Sequence, residues 1–136
     1  MMHLDVFGLM KAAQMIEQKL SIALFYSGLR IPQYRLLEYI EEEGSVTVTD
    51  ISRRFDTTRA TASQLVNELI GKDIVSAIEN PEDRRSFFIK LTSIGRNKLA
   101  VGHRDLELVL TNISSKYSED TIKILNDFAR ERKWSD

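Results

Sequence analysis

A chain of 136 residues with 43% hydrophobic and 29% charged residues has the length of one domain, or one domain with helical extensions, and its composition is that of a folded protein. It has no cysteine, which excludes disulfides, thiolate metal sites and cysteine redox sensing; with no apolar run of 18 residues and no signal-peptide pattern in Met1-Met2-His3-Leu4-Asp5, a cytoplasmic protein without a membrane partner is expected. The net charge of −1 hides an asymmetry: residues 45–98 carry nine Lys/Arg against seven Asp/Glu, and the remainder carries ten against thirteen.

Residues 4–27 read as one long helix. Val6, Leu9, Met10, Ala13, Ile16, Leu20, Ala23 and Leu24 recur at three- and four-residue spacing, on one stripe. The stripe is longer than a small core needs and predicts a partner surface. Gly28 ends the helix, and Pro32 stands in the first turn of the next, where its missing N–H costs nothing. Leu36, Leu37 and Ile40 form the buried side of that helix, with Tyr34 and Tyr39 beside them, and Gly44 stops it. Glu41, Glu42 and Glu43 oppose the dipole at its end and read as a solvated face.

Val46-Thr47-Val48 is a short extended piece, after which Thr49 or Asp50 caps a brief helix to about Phe55. Asp56-Thr57-Thr58 is a polar break. A second helix then runs from Arg59 to about Lys72, capped by Thr58 or Thr57, with Ala62, Leu65, Val66, Leu69 and Ile70 as its apolar stripe. Ile74–Ile78 and Ser86–Leu91 are β-type runs around Asn80-Pro81-Glu82-Asp83, which predicts a hairpin with an open, mobile tip. Thr92 caps a long helix to about Ile113, with a stripe of Leu99, Leu106, Val109, Leu110 and Ile113 that Gly95 and Gly102 weaken locally. Ser118 opens a last helix with Glu119 and Asp120 in its favourable first turn and Ile122, Leu125, Phe128 and Ala129 on one side.

A short helix, a polar turn, a helix with a polar outer face and a basic-tipped hairpin make a winged helix-turn-helix. The fold class is therefore mainly α with a small β-hairpin wing, flanked by N- and C-terminal helices. The second helix suits the major groove. Arg59 can donate to guanine or phosphate, Gln64 and Asn67 can pair with adenine, Thr61 and Ser63 can bond phosphate or base, and small Ala60 permits close approach; Thr58 heads the same face. Arg84 and Arg85 at the hairpin tip suit a narrow minor groove.

Thr47–Leu99 resembles the MarR family of regulators. The resemblance is carried by V-T-V-T-D-I-S-R-R-F, by T-A-S-Q-L-V-N-E-L-I-G-K-D-I-V and above all by N-P-E-D-R-R-S-F-F-I-K-L-T-S-I-G-R, which matches the family's wing signature of Asp-x-Arg, a strand and Leu-Thr-x-x-Gly. It implies that Arg85 enters the minor groove, that Asp83 orients it, and that Arg59, Ala60, Thr61, Ser63, Gln64 and Asn67 form the recognition face. It implies one MarR-like domain over 1–136, with 31–98 as the DNA-binding part and 1–28 and 99–136 as dimerisation helices, which would supply the partner for the 4–27 stripe. A two-fold dimer would set two recognition helices about 34 Å apart, on a pseudo-palindromic site in double-stranded DNA. A repressor is the expectation by family analogy. The family commonly has glycine where Asp73 stands, so the helix end there is expected to be shaped differently.

The resemblance further implies a pocket for a small aromatic or phenolic effector between the dimer helices and the winged part. Tyr26, Arg30 and Tyr34 are its candidates; core or dimer packing is the other reading of the aromatics Phe7, Phe25, Tyr26, Tyr34 and Tyr39. His3 and His103 have no Cys or His at ligand spacing, so no metal is expected. Arg53 and Arg54 are expected to meet phosphate or water, and Lys90, Arg96 and Lys98 are read as surface charges. With no nucleophile–base set and no Gly-rich phosphate loop, no catalytic residues and no cofactor are expected. The near-neutral charge leaves one alternative function, a winged helix that binds protein instead of DNA.

Overall fold

The computed structural model describes residues 1–131. In chain order they form α1 (Val6–Ala23), a 3-10 turn (Phe25–Ser27), α2 (Ile31–Glu43), α3 (Val48–Arg54), α4 (Arg59–Gly71), β1 (Val75–Asn80), β2 (Asp83–Leu91), α5 (Ser93–Ser114) and α6 (Glu119–Ala129). The expected mainly helical chain with one antiparallel hairpin is what forms. The last five residues of the 99–136 segment lie outside the described residues.

Short polar side chains start the helices. Asp5, Thr47, Thr58, Thr92 and Ser118 each accept a hydrogen bond from the backbone N–H three residues on, satisfying a donor that the first turn cannot. At α3 the cap is Thr47, not Thr49 or Asp50. Thr47 Oγ1 accepts from Asp50 N at 3.1 Å and Asp50 Oδ2 accepts from Thr47 N at 2.9 Å, a reciprocal box that draws the helix start back to Val48. The expected extended piece shrinks to Val46, whose backbone pairs with Ile89 through bonds of 3.1 and 2.7 Å.

The helix expected over 4–27 stops at Ala23. Buried Ser27 donates from Oγ to Leu24 O at 2.5 Å, its backbone N–H binds the same carbonyl at 3.0 Å, and Leu29 N donates to the hydroxyl at 3.1 Å. That carbonyl is thereby taken out of the α-helical pattern, and Gly28 reverses the chain at φ +71°. Only Leu20, Ala23 and Leu24 of the stripe reach the core. Phe7, Met10 and Met15 are 81%, 61% and 52% exposed.

Both helices of the helix-turn-helix end alike. After α3, Asp56 N donates to Arg53 O and Thr57 N to Ser52 O; after α4, Asp73 N donates to Ile70 O and Ile74 N to Leu69 O. These are paired Schellman bonds, and they place Asp56 at φ +51° and Asp73 at φ +59°. The absence of glycine at Asp73 therefore does not reshape the helix end, because aspartate accepts the left-handed conformation there. Ile74 and Leu69, which the motif brings together, are both buried.

Val75, Ala77, Ile89 and Leu91 share the inner face of the hairpin. Its tip is tighter than expected. β2 begins at Asp83 instead of Ser86, and Pro81-Glu82 makes the reversal. Asn80 organises it: its Oδ1 accepts from Glu82 N at 3.0 Å and its Nδ2 donates to Ser86 Oγ at 3.1 Å. Glu79 pairs with Phe87 but Asn80 pairs with Asp83, so Arg84, Arg85 and Ser86 bulge from β2.

Helix α5 leaves β2 and crosses the molecule. Its two glycines, expected only as weak points, are contact points. A Cβ on Gly95 would collide with Ile74 O, and one on Gly102 would lie 3.1 Å from both Leu24 and Tyr34. The core lies inside the ring of α2–α5 and the hairpin, with Leu36, Leu37, Ile40 and Leu69 fully buried. Towards the far end of α5, Val109 and Ile113 are half-buried and Leu110 is 43% exposed. Among the described residues no helix is long and apolar enough to cross a membrane.

The left-handed aspartate gives a direct test. Asp73→Gly removes the Cβ penalty at φ +59°, so stability in urea denaturation should rise by about 1 kcal/mol. Asp73→Val should lower it by at least as much.

Candidate nucleic-acid interface

Helix α4 packs through Ala62, Val66 and Leu69, which are buried, and turns its other side outward. Arg59, Ala60, Thr61, Gln64 and Asn67 are exposed and Ser63 is half-buried. Ser63 and Asn67 look towards the wing, lining a shallow cleft of about 310 Å³ with Val48, Ile70, Ala77 and Phe87. The residues expected on the outer side of α4 thus lie at or near its surface. Thr58 has a structural duty on it: its Oγ1 accepts from Thr61 N at 3.1 Å and donates to Thr61 Oγ1 at 2.9 Å.

The wing carries its charge outward. Asp83 Oδ1 accepts from Arg85 N at 3.0 Å and lies 3.6 Å from Arg85 Nε. The Arg85 side chain is 94% exposed, so the carboxylate steers the guanidinium without covering it. Arg84, also exposed, precedes it in the bulge. Arg53 and Arg54 are both exposed, and Arg54 also has ring neighbours. Its guanidinium lies 5.6 Å from both the Tyr39 and Phe55 rings, and Arg35 lies 5.1 Å from Phe55, so these cations are engaged with aromatic faces.

Arg96 and Lys98, read as surface charges, serve backbone carbonyls. Arg96 donates to Leu91 O at 3.3 Å, and Lys98 donates to Ser27 O at 3.3 Å. Lys90 is exposed.

The three effector candidates do not come together. Tyr26 is 82% exposed and meets Phe25 edge to face, and Arg30 turns to Glu68 at 2.6 Å. Tyr34 alone of the three lines a cavity of about 350 Å³ between α2 and α5, with Glu38, Glu41, Glu42, Arg96, Leu99 and His103. Its hydroxyl donates to Glu38 at 3.3 Å and lies 3.5 Å from His103 Nδ1. Burial, and then the neighbouring Glu38 carboxylate, push the Tyr34 hydroxyl up to about 12. The cavity therefore holds a neutral phenol beside three carboxylates. His3 is exposed and does not line this cavity.

Gln33 and Glu68 escaped the sequence reading. Gln33 is 1% exposed and accepts from Arg30 N at 2.9 Å through Oε1, while its Nε2 donates to Glu68 at 3.0 Å. The signals were present: glutamine three residues after the helix cap is capping-box spacing, and Glu68 and Lys72 are i,i+4 on α4.

A helix-turn-helix with an exposed polar second helix and an arginine-bearing hairpin beside it is a winged helix-turn-helix, and solved proteins of that class share the whole architecture. A mutant MarR of E. coli, solved in complex with operator DNA, superposes with a TM-score of 0.76 at 18% identity, covering 93% of this chain and 94% of that one. The regulator MosR of M. tuberculosis, solved in complex with DNA, gives 0.76 at 22% identity over 93% and 92%. An uncharacterised HTH-type transcriptional regulator of Staphylococcus aureus strain Mu50 is 28% identical over 100 residues, which is 69% of this chain and 68% of that protein. The MarR family model matches residues 27–86, from the end of the 3-10 turn through the wing arginines.

The cap at the head of α4 yields a second prediction. Thr58→Ala leaves Thr61 N–H without its partner and should cost about 1 kcal/mol in thermal or chemical denaturation, and Thr58→Ser should restore most of it.

Proposed function

We propose that this chain is a homodimeric repressor that binds a pseudo-palindromic site in double-stranded DNA. Residues 31–98 form its DNA-binding part, and residues 1–28 and 99–136 are its dimerisation helices. The observation that carries this reading is the pairing of two surfaces: the polar face of α4, and an Arg85 guanidinium steered outward by Asp83 on the adjoining wing. The α4 face suits base edges in the major groove, where Gln64 and Asn67 offer bidentate partners for adenine. Arg85 suits the neighbouring minor groove. That MarR of E. coli and MosR were each solved on DNA supports the same assignment for this fold.

Dimerisation is supported by the apolar surface of α1. Val6, Leu9, Met10 and Ile16 remain exposed on the stripe, with Phe7 beside them. Together with the far end of α5 and with α6, the helix borders an apolar groove of about 360 Å³ lined by Met15, Ile16, Ile113, Tyr117, Ile122 and Leu125. A monomer would leave this face in water. A two-fold mate would cover it and set the spacing of the recognition helices. A small aromatic effector that alters the seating of α2 on α5, next to Tyr34, would change that spacing and release DNA.

Selection of bound sequences from a random duplex library, followed by gel shift, tests DNA binding. A two-fold symmetric site bound with salt-sensitive affinity is expected. Arg85→Ala should weaken binding about tenfold on any sequence. Gln64→Ala and Asn67→Ala should instead flatten base preference, by about 1–3 kcal/mol at the contacted pair. No enrichment and no retarded fragment would overturn the reading. Sedimentation at micromolar concentration should show twice the 15.6 kDa mass of the chain, and a monomer there would overturn the dimer.

A further inference from the structure

We infer that Gln33 and Glu68 are positioning residues for DNA recognition, forming a polar latch that holds α4 at the angle its base contacts require. This rests on the DNA-binding reading above.

Glu68 lies on α4 one residue after Asn67 and one helical turn after Gln64. Its Oε1 collects Arg30 at 2.6 Å, Gln33 Nε2 at 3.0 Å and, more loosely, Lys72 at 3.9 Å. Arg30 and Lys72 are largely exposed, with side chains 65% and 57% accessible, and such pairs contribute little. Gln33 differs because it is fully buried. Its amide has one acceptor on α4 and its carbonyl one donor at the start of α2. Taking Glu68 away strands a buried donor, which is the costly kind of loss.

The latch sits at the end of a longer bonded path. Lys98 on α5 donates to Ser27 O, the Ser27 hydroxyl joins Leu24 O to Leu29 N, and Arg30 N binds Gln33. The recognition helix is thereby tied to the segment from which α1 and α5, the proposed dimer arm, diverge. Hydrophobic packing buries Ala62, Val66 and Leu69 but is itself non-directional. A short charge-assisted hydrogen bond is directional. Base readout needs donors placed to a fraction of an ångström, whereas phosphate contacts tolerate displacement. Opening the latch should therefore cost sequence preference before it costs binding to DNA in general.

The test measures the ratio of affinity for the selected site to affinity for random duplex, at one salt concentration, together with Tm. Glu68→Ala should lower the ratio about tenfold, the worth of one well-placed base contact. Gln33→Glu sets two carboxylates face to face and should lower it at least as far. The double exchange Gln33→Glu with Glu68→Gln reverses donor and acceptor, keeps the net charge of the wild type, and should restore the ratio to within about threefold. Should Gln33→Glu fail to fold, Glu68→Ala at the half-exposed partner and the double exchange still decide. A ratio unchanged in Glu68→Ala, or a lowered Tm with the ratio intact, overturns the latch. So does a folded double exchange that stays as unselective as the single variants. A wild-type chain with no selected site sinks the DNA reading and the latch with it, whereas a selective wild type with an indifferent Glu68→Ala sinks the latch alone.

Discussion

The backbone of Ile74 is where helix α4, the hairpin and the long helix α5 are joined. Its N–H reaches back to Leu69 O and closes the end of α4. Its carbonyl accepts from Thr92 N at 3.1 Å and from Thr92 Oγ1 at 2.9 Å, which is also the residue that caps α5. Gly95 passes directly above the same carbonyl, where any side chain would collide with it. Three elements of the winged domain thus take their directions from one peptide unit. The strand β1 leaves it, β2 returns to it, and the helix that follows β2 begins on it. The buried Ile74 side chain then adds this junction to the hydrophobic core.

Much of this was legible because the signals are local. Thr58, Thr92 and Ser118 announce helices through a single hydroxyl, and Pro32 and Gly44 bracket α2. The apolar spacing of Ala62, Val66 and Leu69 assigns the inner side of α4 and, by elimination, its polar face. What was not legible depends on contacts distant in sequence or on competition between near-equal options. Thr47, Thr49 and Asp50 can all cap, and the reciprocal bond between the first and last of these decides the matter. The break at Leu24 turns on a serine whose hydroxyl competes with the helix for a carbonyl. Gly95 and Gly102 read as helix weaknesses because nothing local shows Ile74 or Tyr34 lying above them. Tyr26 separates from Tyr34 because the 3-10 turn and Gly28 rotate the chain between them, and Arg30 because its side chain reaches across to Glu68 on α4.

The charge distribution also reads differently in three dimensions. The basic excess of residues 45–98 is small, and part of it is spoken for. Arg54 lies against aromatic rings, Lys72 leans towards Glu68, and Arg96 and Lys98 bind carbonyls. Arg59, Arg84 and Arg85 are exposed on the face made by α4 and the wing. On the proposed reading, a surface of this kind would draw a polyanion through a few well-placed cations and not through a broad field, so its electrostatics would act at short range and be readily screened.

The three-residue bulge of Arg84, Arg85 and Ser86 has a consequence for how the wing can vary. Below it, Glu79 faces Phe87 and the inner face of the hairpin runs unbroken to Val75 and Leu91. A single-residue slip in that lower ladder would turn Ile89 and Leu91 out of the core. Above it, the count of residues on the two strands is already unequal, so a residue gained or lost there changes the reach of the arginines without moving the ladder underneath. The bulge separates the part of the hairpin that must keep its register from the part that can change length, and insertions and deletions in this wing have a place to occur at little cost to the fold.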